Sequence, residues 1–146
     1  MTIRQATIED LDQLAILFAH YRVFYEQPYE IDASMKFLKE RLTREESIIF
    51  MALDKNAYAG FTQLYPSFSS VGISKIWILN DLFVSAEHRQ KGIAQALVNH
   101  VIAYSKLTGR KKIVLSTAYN NFNAQKLYQK IGFTREDFYN YELPVV

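Results

Sequence analysis

The sequence predicts a mixed α/β domain, on two observations. Stretches with apolar residues at helical spacing alternate with short runs rich in β-branched and aromatic residues. In the second half a strand, a helix and another strand follow in succession, the order of a right-handed β-α-β unit. The chain has 146 residues and no Gly/Ser/Pro-rich linker, repeat or low-complexity tract, so one domain over 1–146 is expected.

Each element has its own signal. Thr2 to Ala6 reads as a short strand. Thr7 with Asp10 three residues on resembles a capping box with Asp in the Glu position. Leu11, Leu14, Phe18, Tyr21 and Tyr25 then recur at helical spacing, and Pro28 is expected to end that helix. Asp32 or Ser34 is placed to cap a second helix carrying Phe37, Leu38 and Leu42. Ser47–Leu53 and Tyr58–Tyr65 read as strands joined by a turn at Asp54-Lys55-Asn56. Lys75–Val84 is the strongest strand, interrupted by Asn80 and Asp81. A helix from about Gly92 to Lys106 shows Ile93, Leu97, Val101 and Tyr104 on one stripe, with Gly109 just past its end. Lys112–Thr117 reads as a strand, Asn121–Lys130 as a short helix closed by Gly132, and Phe133 onward as one or two further strands.

Composition narrows the function. Half the residues are apolar (49%), enough for a core, and with 22% charged this excludes a disordered chain. There is no Cys, so there is no thiol nucleophile, disulfide or cysteine metal site. His20, His88 and His100 show no metal-ligand spacing, so no metal is expected. No apolar run reaches the roughly 20 residues that span a bilayer, and Glu9 and Asp10 precede any apolar stretch. These features read as a soluble, cytoplasmic protein with no membrane partner. The net charge of +2 conceals an asymmetry: residues 1–73 carry 7 basic and 10 acidic side chains, residues 74–146 carry 10 and 5. An anionic ligand favours the second half and a cationic one the first.

Two stretches carry chemistry. In Leu82-Phe83-Val84-Ser85-Ala86-Glu87-His88-Arg89-Gln90-Lys91-Gly92-Ile93-Ala94 a strand runs through a basic turn into a helix start. The first amides of a helix lack internal partners and lie at its positive end. Gly92 and the small Ala94 let those amides approach a phosphate, with Arg89 and Lys91 adding charge. In Asn121-Phe122-Asn123-Ala124-Gln125-Lys126-Leu127-Tyr128, Asn121 stands at a helix start, as a cap or as a ligand contact, and Tyr128 follows on the same helix.

Together, Arg-x-x-Gly-x-Ala after a strand and Asn-x-x-Ala-x-x-x-Tyr-x-x-x-Gly-Phe about 30 residues on resemble the GCN5-related N-acetyltransferase (GNAT) family. The likeness covers the chain in element order. Tyr21-Arg22-Val23-Phe24-Tyr25 with Ile78-Leu79-Asn80-Asp81-Leu82-Phe83-Val84 is further similar to the small histone- and polyamine-type members. The resemblance implies a central sheet, mixed but mostly antiparallel, flanked by helices. It implies acetyl-CoA as cosubstrate and an acetyl transfer to an amine. Backbone amides from Gln90 through Lys91, Gly92, Ile93 and Ala94 to Gln95 would hold the diphosphate, with Arg89 opening the motif. Leu82, Phe83 and Val84 would pair with the pantetheine arm as an added strand does. Asn121 and Ala124 would belong to the cofactor site, and the Leu82 amide would point at the thioester carbonyl. Tyr128 would lie near the sulfur as the acid for the departing thiolate. Some members place a Glu on this strand as base. Here Asn80 stands at a comparable place and cannot accept a proton, and simple alternation turns the adjacent Asp81 to the other face. The amine then loses its proton through water or arrives neutral.

Without Cys, direct transfer in a ternary complex is favoured over an acyl-enzyme. The acceptor is expected to be a small-molecule or peptide amine. Tyr25, Glu26, Tyr29, Glu30, Tyr65, Trp77 and Asp81 are acidic or aromatic and suit a cation such as a polyamine or a lysine side chain. Two other classes compete. In one, the chain is a non-catalytic acyl-CoA-binding regulatory module. In the other, Lys91, Lys106, Arg110, Lys111 and Lys112 bind nucleic acid, for which the small net charge and absent RNA-binding signature argue poorly. The reading is therefore no nucleic-acid partner, with Leu143-Pro144-Val145-Val146 and exposed aromatics available for a homodimer.

Overall fold

The computed structural model describes residues 1–146, which pack as two compact units, Met1–Ser116 and Thr117–Val146. In the first unit the order is β1 (Thr2–Gln5), a 3-10 turn (Ile8–Asp10), α1 (Leu11–Phe24), α2 (Ile31–Thr43), β2 (Ile48–Asp54), β3 (Ala57–Ser69), β4 (Ser74–Val84), a 3-10 turn (Ala86–His88), α3 (Ile93–Leu107) and β5 (Ile113–Val114). The second unit holds α4 (Phe122–Ile131). The five strands form one sheet in the order β1-β2-β3-β4-β5. The first three pairings are antiparallel and β4–β5 is parallel, so the sheet is mixed and mostly antiparallel as expected.

Alternation along the strands gives the sheet two apolar faces. Ile49, Met51, Phe61 and Phe83 form one core with Leu14, Leu17 and Phe18 of α1 and Leu38 of α2. Phe50 and Trp77 face the other way, packing on His100 and Tyr104 of α3. Phe61 is fully buried between its neighbours, and truncating such a residue costs about 3–5 kcal/mol.

At the edge of the first core, Asp10 is 4% exposed and takes donors on both oxygens. Arg4 reaches it twice, at 2.8 and 2.9 Å, Tyr58 Oη at 2.9 Å and the Thr7 amide at 2.8 Å. The last bond is the reaching-back half of the expected capping box. The Arg4 hydrogen bonds hold the Asp10 carboxyl down at about 2.

Several boundaries differ from expectation for physical reasons. Helix α1 stops at Phe24, well before Pro28, because Glu26 turns left-handed (φ 64°) and the Gln27 amide folds back onto Arg22 O at 3.0 Å. Neither Asp32 nor Ser34 caps α2. Glu30 holds that place, and the Ser34 hydroxyl instead donates to Glu30 O at 2.7 Å. The Asp54-Lys55-Asn56 turn forms as expected, with Lys55 and Asn56 both at positive φ. Strand β5 has two residues only. No strand forms after Gly132: Phe138, Tyr139 and Tyr141 are exposed there, and β-propensity without a partner strand makes no sheet.

Candidate active site

The centre of the first unit is a break in β4. Gln63 of β3 pairs with Asp81, but the next residue, Leu64, pairs with Leu79, so Asn80 is an extra, bulged residue. The bulge reverses alternation. Leu79 and Trp77 face α3, while Asp81 and Phe83 turn to the side of α1. Strict alternation from Asn80 therefore misplaces Asp81: the two side chains meet, Asn80 Nδ2 donating to Asp81 Oδ1 at 2.9 Å.

Asp81 is 4% exposed. Gln63 Nε2 donates to its Oδ2 at 2.5 Å, and Thr62 Oγ1 donates to its main-chain oxygen at 2.8 Å. The carboxylate's side-chain donors are all neutral: the amides of Gln63 and Asn80 and the Tyr21 hydroxyl. They satisfy oxygen lone pairs without cancelling the charge. Tyr21, Tyr25 and Tyr65 surround it. Burial first, then the Asp81 charge, pushes the Tyr65 hydroxyl up to about 12 and the Tyr21 and Tyr25 hydroxyls above their usual range. All three stay protonated at physiological pH, so they are donors and none offers a phenolate base. Tyr21 also packs edge-on against Tyr25 (5.1 Å) and Phe83 (6.1 Å).

Of the expected acceptor residues, Tyr25, Tyr65 and Asp81 are thus brought together. Glu26 is exposed in the left-handed turn after α1, and Tyr29 packs on His20 at 5.1 Å. Glu30 is tied to Arg22 at 3.0 Å. Trp77 does not join them. It is 4% exposed on the α3 side, stacked on Tyr104 with the Arg110 guanidinium 4.1 Å over its ring. The break at Asn80–Asp81 explains why: it sends the two ends of β4 to opposite faces.

Beyond the bulge, β4 runs to Val84 beside β3 alone. Strand β5 pairs only with Trp77 and Ile78, so no strand flanks Leu79–Val84 on that edge. The chain then turns into α3. Gln90 and Gly92 are both left-handed (φ 63° and 77°), and a Cβ on Gly92 would meet nothing within 4 Å. The first intrahelical bond runs from the Ala96 amide to Gly92 O, so the amides of Gly92, Ile93 and Ala94 precede the ladder at the helix's positive end. Open space outside Gly92, beside an unflanked strand edge, fits a diphosphate with an extended arm.

Both cations of the turn make contacts within the protein. Arg89 Nε donates to Val84 O at 3.0 Å and its guanidinium lies over Phe83 and Phe24. Lys91 Nζ reaches Asp54 at 3.1 Å, which holds that carboxyl below its usual range. His88 is fixed by Ser85 Oγ at 2.8 Å. These contacts brace the loop.

In the second unit, Asn121 Oδ1 accepts from the Ala124 amide at 3.3 Å, capping α4. Tyr128 packs against Phe133 at 5.7 Å, and the Phe133 amide closes the helix on Tyr128 O past Gly132. Gln63, Ser47 and Asp54 are not singled out from the sequence as site residues, and Tyr21 is taken there only as one of the residues at helical spacing in α1. A glutamine on the Phe61–Tyr65 face of an apolar strand was the available signal.

Residues 13–133 match the model of the Acetyltransferase (GNAT) family. The chain is 41% identical over 136 residues to an uncharacterized N-acetyltransferase, YhfO, of Bacillus subtilis, covering 93% of this chain and 91% of that one. It is 31% identical over 124 residues to a probable acetyltransferase of Haemophilus influenzae, covering 84% and 85%. Its fold superposes on the crystal structure of a probable acetyltransferase with a TM-score of 0.94 at 44% identity, covering 100% of this chain and 99% of the other. With the bulged strand, the glycine turn and this breadth of likeness in hand, the chain belongs to the GNAT family and is an acetyltransferase.

Proposed function

We propose that the protein moves an acetyl group from acetyl-CoA to a primary amine on a cationic acceptor, a polyamine or a lysine side chain, by direct attack in a ternary complex. The observation that carries the acceptor is Asp81. A buried carboxylate bonded to neutral amides is costly for packing alone and suits an ammonium ligand. The same charge supports the likeness of residues 21–25 and 78–84 to histone- and polyamine-type members.

When bound, acetyl-CoA supplies an activated acetyl thioester. The amides of Gly92, Ile93 and Ala94, with the backbone of Gln90, Lys91 and Gln95, hold its diphosphate. Leu82, Phe83 and Val84 would offer a strand edge to its arm. The Leu82 amide steadies the carbonyl oxygen as charge develops, an effect worth about 3 kcal/mol. Asp81, helped by the Tyr25 and Tyr65 rings, draws the ammonium in. An alkylammonium near pKa 10.4 must shed a proton before attack. Asn80 cannot accept it and the three tyrosines keep theirs; Asp81, turned to this side by the bulge, is the carboxylate beside the ammonium, and the proton passes to it or to water. Tyr128 would give a proton to the departing sulfur and be reprotonated by the second proton that the nitrogen sheds as the amide forms, leaving the acetyl amide and free CoA thiol.

A panel of spermidine, N-α-acetyl-lysine, amino acids, aminoglycosides and neutral or anionic amines tests this, read as CoA thiol release. Cationic amines should lead, and Asp81→Asn should lower their kcat/KM at least tenfold with acetyl-CoA affinity unchanged. Preference for a neutral or anionic acceptor would overturn the charge argument.

A further inference from the structure

The Asp81 carboxylate is one end of a string of buried polar groups. Ser47, just before β2, is 6% exposed and donates from Oγ to Gln63 Oε1 at 2.8 Å. Gln63, 0% exposed, then donates from Nε2 to Asp81. The string crosses the sheet on the face covered by α1, at the point where β3 meets the bulge. Its direction is fixed by chemistry. A carboxylate only accepts, so the NH2 end of Gln63 must face Asp81 and the oxygen end must face the Ser47 hydroxyl. On the same face of the strand Gln63 lies between Phe61, which is fully buried, and Tyr65, which is partly buried. Packing asks for an apolar residue here, and a glutamine matched at both ends answers a different need.

We infer that Gln63, set by Ser47, is a positioning residue: it grips the carboxylate that the Asn80 bulge has turned toward Tyr21 and Tyr65, and so fixes where the acceptor's ammonium docks. Asn80 holds the other oxygen from an exposed position. Gln63 holds its oxygen from inside the core and supplies the rigid half of the grip. This rests on the acceptor reading above.

The test replaces Gln63 with a side chain of equal length and no donor. Gln63→Met, shown to melt cooperatively, should bind acetyl-CoA within about twofold of the parent and raise KM for spermidine and N-α-acetyl-lysine about tenfold, the weight of one hydrogen bond to a charged group. In an Asp81→Asn background the same change should add nothing. Ser47→Ala should move KM the same way by less. A folded Gln63→Met with parental KM, or a penalty undiminished beside Asp81→Asn, overturns the inference. If Gln63→Met does not fold, Ser47→Ala decides it on the same terms. If the parent binds acetyl-CoA yet acetylates neither amine, the acceptor reading fails separately. The crystal structure of Gln63→Met, or of Ser47→Ala, then judges positioning alone: a displaced Asp81 carboxylate supports it and an unmoved one overturns it.

Discussion

Gly92 joins backbone freedom to charge. Its φ of 77° suits a residue without Cβ, and the space outside it is open. Gly92→Asp adds strain and places a carboxylate where a diphosphate would lie. Calorimetric titration with acetyl-CoA should show binding lost in a protein that still folds, and retained affinity would remove the phosphate site from this turn. Tyr128 carries a proposal of another kind. Removing one hydroxyl with Tyr128→Phe should lower kcat about a hundredfold, the usual weight of general acid catalysis, while acetyl-CoA affinity holds. Unchanged turnover across a pH series would end that role. Arg89 and Lys91, expected to add charge beside the phosphate-holding amides, both also make contacts within the protein, to Val84 O and to Asp54.

The elements themselves show what was legible in the sequence. Strands β2, β3 and β4 and helices α3 and α4 announced themselves through periodicity, and Gly109 and Gly132 marked the ends of α3 and α4 because glycine favours positive φ. The ends of α1 and α2 were illegible for a matching reason. They close the same way, with the residues after them folding back on Arg22 and Arg41, but the left-handed positions hold Glu26 and Glu45. Glutamate there pays a Cβ penalty that tertiary packing overrides. Glu45→Gly should therefore stabilise the protein by up to about 1 kcal/mol, seen as a melting midpoint roughly 2–4 °C higher. A lower midpoint would mean Glu45 makes a contact that offsets its strain. The bulge at Asn80 was equally hidden, since the pattern Leu79-Asn80-Asp81-Leu82 reads as alternation merely interrupted. That one inserted residue decides which side chains share a face: Asp81 turns toward Tyr65 and Tyr21, and Trp77 toward Tyr104.

At the scale of the molecule, acid should undo the fold in part through Asp10. Its carboxyl sits at about 2 when folded, against an ordinary 3.8. A depressed folded value stabilises the native state above pH 3.8, and the contribution fades as pH falls toward 2. Because Arg4 is 43% exposed, solvent screening trims it to on the order of 1–2 kcal/mol. Urea unfolding between pH 6 and 2 should show a fall in stability that Asp10→Asn shares far less. Equal slopes for parent and variant would assign the acid sensitivity elsewhere. The charge asymmetry of the sequence does not sort the two sites: the glycine turn and Asp81 both lie in the basic half, and only the uncharged tyrosines Tyr21, Tyr25 and Tyr65 come from the acidic one.

Strand β4 belongs fully to the sheet over Trp77–Ile78 and only on one side from Leu79 to Val84. In an antiparallel pair successive amides point to opposite sides. Half the amides of this segment are thus locked to β3, and the other half have no ladder partner. Hydrogen–deuterium exchange resolved by residue should write this out as an alternation of slow and fast amides along one strand. If acetyl-CoA docks there as an added strand, the fast set should slow on its addition while the slow set stays as it was. The ligand would then be a temporary sixth member of the sheet, and its departure would return the protein to an unfinished edge.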